Sequence, residues 1–107
     1  MISIKKGDTF AFYANITDEL EAPLITDVAN LKSQIRDKKY VLVEQLAIST
    51  TGTEGQYLFT ATDTNLWLLP GYDVRGLLMD IEMNVGGIVS SSETIEIVVS
   101  KDVTYNE

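Results

Sequence analysis

Neither cysteine nor histidine occurs anywhere in the 107-residue chain. Without cysteine there is no disulfide framework, so core packing alone must stabilise the fold. Without histidine the commonest general base and the Ser-His triad are excluded. Together the two absences remove structural zinc of the Cys/His kind, thiol catalysis and haem ligation by these side chains, and no cofactor is expected. Proline is scarce, at 2 residues, and tryptophan occurs once. Positive charge is short too: 8 Lys+Arg stand against 16 Asp+Glu, a formal net charge of −8. Such a field repels phosphate backbones and anionic headgroups, so nucleic-acid and membrane partners are not expected. The longest strongly apolar run, Leu66-Trp67-Leu68-Leu69, is far too short to cross a bilayer. The opening Met1-Ile2-Ser3-Ile4-Lys5-Lys6-Gly7 leads into no apolar stretch and does not read as a secretory signal.

What the chain does have is period two. Phe10, Phe12, Ala14 and Ile16 fall on one face of an extended segment, and Leu77-Leu78-Met79-Asp80-Ile81-Glu82-Met83-Asn84-Val85 has apolar odd positions and mostly polar even ones. One buried and one wet face is the mark of an antiparallel sheet. Ile95, Ile97 and Val99 repeat the pattern, and residues 56–62 are rich in aromatic and β-branched types. Turn signals separate these runs: Lys6-Gly7-Asp8, an acidic loop from Asp18 to Asp27 interrupted by Ala22-Pro23, Asp37-Lys38-Lys39, residues 50–55, and Gly86-Gly87. The spacing predicts strands at 1–5, 8–17, 31–37, 40–48, 56–62, 75–86 and 93–100. That makes one all-β domain over residues 1–107, an immunoglobulin-like antiparallel sandwich of seven or eight strands. Its expected core is Phe10, Phe12, Ile16, Ile35, Phe59, Met79, Ile81, Ile95 and Ile97. Residues 63–71 offer an N-cap, an apolar turn and a Pro-Gly stop, which read as one helical turn with Trp67 plugging the end of the sandwich.

Carboxylates are the remaining candidates for chemistry. Asp80 and Glu82 share a strand face at about 7 Å between Cα atoms, a spacing reminiscent of glycosidase pairs. Such a pair needs a cleft that raises one pKa, and the polar face of an alternating strand offers none. Asp18, Glu19, Glu21 and Asp27 crowd one loop, but their spacing matches no calcium motif and they read as solvated. Lys6-Gly7-Asp8 resembles an integrin-type tripeptide and is explained by a turn. An enzyme is not expected.

The order Lys6-Gly7-Asp8-Thr9-Phe10, Gln34-Ile35-Arg36, Thr64 to Pro70-Gly71, Asp80-Ile81-Glu82 and Asp102-Val103-Thr104 resembles the N-terminal domain of siphophage upper baseplate proteins. Each motif is short; together they span most of the chain. Two positions depart from the pattern: Leu77 stands where an aromatic is usual, and Glu21-Ala22-Pro23 replaces a Gly-Xaa-Pro turn. The resemblance implies an immunoglobulin-like fold, a virion structural role in a phage or prophage tail or baseplate, synthesis in the bacterial host cytoplasm, and other tail proteins or copies of the chain as partners. Leu68-Leu69-Pro70-Gly71-Tyr72 is similar to a fibronectin type III turn, which implies a tyrosine corner at Tyr72 and the rival role of an adhesion or carbohydrate-binding module. Tyr72 and Val74 are even where the core of the following strand is odd, and a bulge near Arg75-Gly76 would reconcile them.

A sandwich has edge strands with unpaired backbone groups. Ile2-Ser3-Ile4 is short and guarded by Lys5-Lys6. The run 94–100 is longer and more apolar, and it leads into the tail 101–105. Thr94, Glu96, Val98, Val103 and Tyr105 are therefore the expected interface, by strand addition or as an apolar patch. The net negative charge opposes self-association of free copies, so assembly is expected to be weak in isolation.

Overall fold

Alternating burial runs through the strands of the computed structural model, which describes residues 2–101 apart from Glu19. The strands are β1 (Ile2–Lys5), β2 (Phe10–Asn15), β3 (Leu31–Arg36), β4 (Leu42–Gln45), β5 (Ala47–Thr50), β6 (Gln56–Ala61), β7 (Val74–Val85), β8 (Ile88–Ser91) and β9 (Ile95–Ser100). Three-residue 3-10 turns occupy Val28–Asn30 and Asn65–Trp67; the second is the helical turn expected there. One sheet has the order β1-β9-β7-β3-β4, with β8 also on β7, and the other is β2-β6-β5. Their apolar faces meet in an all-β sandwich.

Three details differ from the expected arrangement. β1 runs parallel to β9, while every other pairing is antiparallel; no hairpin joins these two strands, so nothing forces them to run in opposite directions. The run 40–48 is two strands in two sheets. At Leu46 the chain turns into the core, its N–H donates to the Ser33 carbonyl, and it crosses from one sheet to the other. The return from β7 is broken into β8 and β9, because Ser92, Glu93 and Thr94 stand opposite only Asp80 and Ile81. Ser92 spans this bulge: its N–H donates to the Ile81 carbonyl and its hydroxyl accepts the Ile81 N–H.

Of the expected core, Phe10, Ile35, Phe59, Met79, Ile81 and Ile97 are buried, and Phe12, Ile16 and Ile95 pack half-buried against them. Leu31, Leu46, Tyr57, Leu68, Leu77 and Val99 complete the interior. Each fully buried large side chain contributes about 1.5–3 kcal/mol. Trp67 closes one end as expected, with its ring 5.4 Å from Phe10.

The tyrosine corner is corrected. Tyr72 is 61% exposed, and the bulge near Arg75-Gly76 is absent, since β7 and β9 keep one register from Val74 to Met79. The tethering falls to Tyr57 on β6. Its hydroxyl accepts the Thr26 N–H and donates to the Leu24 carbonyl, fixing the β2–β3 loop. The same loop is held by Gly55, whose φ of 74° and 2.8 Å approach of a notional Cβ to Pro23 leave room for glycine alone.

Thr64 is fully buried and joins two loops. Its hydroxyl accepts the Gly7 N–H at 3.0 Å and donates to the Asp8 carbonyl at 2.6 Å. Thr64→Val keeps the shape and strands both backbone groups. It should lower unfolding stability by about 1–3 kcal/mol in urea titrations; an unchanged midpoint would mean that water satisfies the turn.

Candidate docking surface

The carboxylate pair lies on the outer face of the larger sheet. Asp80 is opposite Gln34 and exposed, and Glu82 is opposite Lys32 and half-buried. Among the described residues nothing encloses them into a cleft of the kind acid–base work requires. In the acidic loop the carboxylates serve the backbone. Asp18 accepts the N–H groups of Leu20 and Ala22, and Asp27 accepts that of Ala29 as the cap of the first 3-10 turn. Glu19 lies outside the described residues. Among the described residues no group of three or more such side chains is placed to hold a metal ion.

The expectation that the last strand is a free edge is corrected. β9 is bonded on both sides, to β1 and to β7, so no further strand can be added to it. Parallel pairing with β1 takes up the backbone groups that strand addition would need. β1, β4 and β8 each pair on one side only in that sheet, and β1 is the short, lysine-guarded edge that was expected. Thr94 is exposed in the bulge, and Glu96 is exposed on the outer face, ion-paired to Lys38 at 3.2 Å. Val98 is half-buried between Gly76 and Ser3. Val103 and Tyr105 lie outside the described residues. The expected residues therefore form no common apolar patch where they are described.

Exposed apolar surface gathers at the two ends of the sandwich instead. At one end lie the turns β1–β2, β3–β4 and β6–β7. Here Leu66 is 80% exposed, Leu69 and Tyr72 are exposed further along the β6–β7 connection and Val74 at the start of β7, with Tyr40, Val41 and Leu42 on the β3–β4 hairpin. Lys101 donates its N–H to the Asp73 carbonyl, so the chain leaves β9 beside this surface. At the other end the β2–β3 loop and the β7–β8 hairpin form a groove of about 490 Å³, lined by Thr17, Asp18, Leu24, Met83, Val85, Ile88 and Ser90. Leu20, Ile25 and Val89 are exposed around it. The hairpin reaches out because Gly86 and Gly87 both take positive φ, as a tight two-residue connection demands.

Charge divides the same way. Lys5 and Lys6 sit at the β1–β2 turn, Arg36, Lys38 and Lys39 at the β3–β4 hairpin, Arg75 at the start of β7 and Lys101 after β9; only Lys32 lies toward the groove. Asp18, Glu21, Asp27, Glu54 and Glu82 lie toward the groove. The larger apolar surface is thus set among cations and the groove among anions.

Asp37 organises the basic end. Its carboxylate accepts the Val41 and Lys39 N–H groups and meets Arg75 at 3.4 Å. The Val41 N–H holds its pKa below the usual value, against partial desolvation, with help from the Lys39 N–H and the charges of Arg75 and Lys39. A carboxyl lowered on folding stabilises the folded state above about pH 4 and loses that contribution as pH falls through its folded value. Asp37→Asn should therefore flatten the acid limb of a stability–pH curve below about pH 4; an unaltered limb would remove Asp37 from acid unfolding.

No protein-family model matches the chain, and no curated protein matches it.

Proposed function

We propose that the chain is a virion structural protein of a phage or prophage, a tail or baseplate component that acts by protein–protein docking and not by catalysis. The observation that carries the docking reading is the gathering of exposed apolar side chains at the two ends of an otherwise alternating sandwich, with Leu66, Leu69 and Tyr72 beside the exit of β9. Patches of this kind on a small domain mark surfaces that another protein covers. The virion assignment rests on the motif order from Lys6-Gly7-Asp8-Thr9-Phe10 to Asp102-Val103-Thr104. A net charge of −8 supports partners other than nucleic acid or membranes. The rival carbohydrate-binding role is weakened by Trp67: the sole tryptophan, the best platform for a sugar ring, is 1% exposed.

The test is particle composition. An antibody to the chain should label the tails of particles purified from the organism that carries the gene. Purified particles without the chain would overturn the virion reading.

A further inference from the structure

We propose that copies of this chain associate head to tail, the basic apolar end of one seated in the acidic groove of the next. The inference rests on the docking reading above and names the partner as a second copy of the chain. The particle assay tests the virion role; the experiment below, on the purified chain, tests this proposal alone.

The two ends are complementary in shape and in charge. Leu66, Leu69 and Tyr72 project from one end. The other end presents a groove with Leu24, Met83, Val85 and Ile88 in its walls. Every cationic side chain but Lys32 belongs to the first end. Of its aspartates, Asp8 accepts the Lys5 N–H, Asp63 accepts from Asn65, Asp37 is paired with Arg75, and Asp73 stands exposed beside Tyr72, so the cations of this end still outnumber its anions. Lys5, Lys6, Lys39 and Lys101 have no ionic partner among the described residues. The groove end carries Asp18, Glu21 and Glu54.

This polarity decides the symmetry. A two-fold dimer through either end would set like charge against like charge, which costs free energy. Joining unlike ends matches the charges and is a heterologous contact, which propagates into rings or filaments. The strength follows from the dimensions. The molecule measures 46 × 30 × 21 Å, so an end-on contact is limited to roughly 600 Å² per copy, the low end of specific interfaces. Contact between free copies is therefore weak and needs high concentration, and the overall negative charge weakens it further.

Exposed charges allow a test that leaves the core untouched. Lys39→Glu with Lys101→Glu makes both ends acidic. Glu21→Lys with Glu54→Lys cancels the net negative charge of the groove end. Sedimentation velocity of the wild type up to millimolar concentration should show reversible association, with X-ray scattering giving a dimer about 90 Å long, twice the 46 Å length of one copy. Each double variant alone should associate about tenfold more weakly. An equimolar mixture of the two should associate again, because the unaltered acidic groove of the first variant then meets the unaltered basic end of the second. A wild type that stays monomeric, a compact side-by-side dimer, or a mixture no stickier than its components would each overturn the proposal.

Discussion

Trp67→Ala should lower the unfolding free energy by about 3–5 kcal/mol, a large share of what a domain of this size has. Trp67 is 1% exposed, packs on Phe10 and closes the end of the sandwich over which the β6–β7 connection passes. Truncation would open a cavity that strands anchored in two sheets cannot collapse to fill. Trp67→Phe should cost much less than the alanine change. The indole N–H has no hydrogen-bond partner among the described residues, so phenylalanine loses area and breaks no bond. Equal losses for the two variants would mean that the indole nitrogen is bonded after all. Because Leu66 and Leu69 flank this residue, the alanine variant should also weaken docking at the basic end.

Ile81→Ala should cost about 2–5 kcal/mol, while Asp80→Ala, one residue away, should stay within about 0.5 kcal/mol. β7 is central in the larger sheet, between β3 on one side and β8 and β9 on the other. Ile81 points into the sandwich and is 7% exposed, and Asp80 points out. The contrast measures the alternation itself, since a one-residue slip in register would exchange the two results. Chemical denaturation of both variants is sufficient.

The segments legible in the sequence are those where period two is unbroken. β7 and β9 could be read residue by residue because each has one dry and one wet face. Turns came through where their chemistry is local: Gly86-Gly87 and Asp37-Lys38-Lys39 need only their own backbone. What escaped depends on the far side of the molecule. The switch of sheets at Leu46 follows from the distant partners of its two flanks, β3 for β4 and β6 for β5, and nothing in residues 40–48 marks that place. The tethering role went to Tyr57 and not Tyr72 because Thr26 and Leu24, more than thirty residues away in the chain, supply its partners. Pairing of β1 along β9 hid the edge expected at the last strand; a four-residue strand has too little pattern to announce its neighbour. The apolar ends were equally hidden. Leu66, Leu69 and Tyr72 sit in a segment whose other members, Trp67 and Leu68, are core, and only the fold separates the two sets.

The proposed docking uses the two ends of the domain and leaves its carboxylate face free. An amide NMR spectrum of the chain, followed from dilute to concentrated solution, tests it most directly. Shifts confined to residues 39–42, 66–74 and 101 at one end, and to 17–25, 54 and 83–90 at the other, are the predicted result. Shifts centred on Lys32, Asp80 and Glu82, or running along β1 and β4, would contradict it.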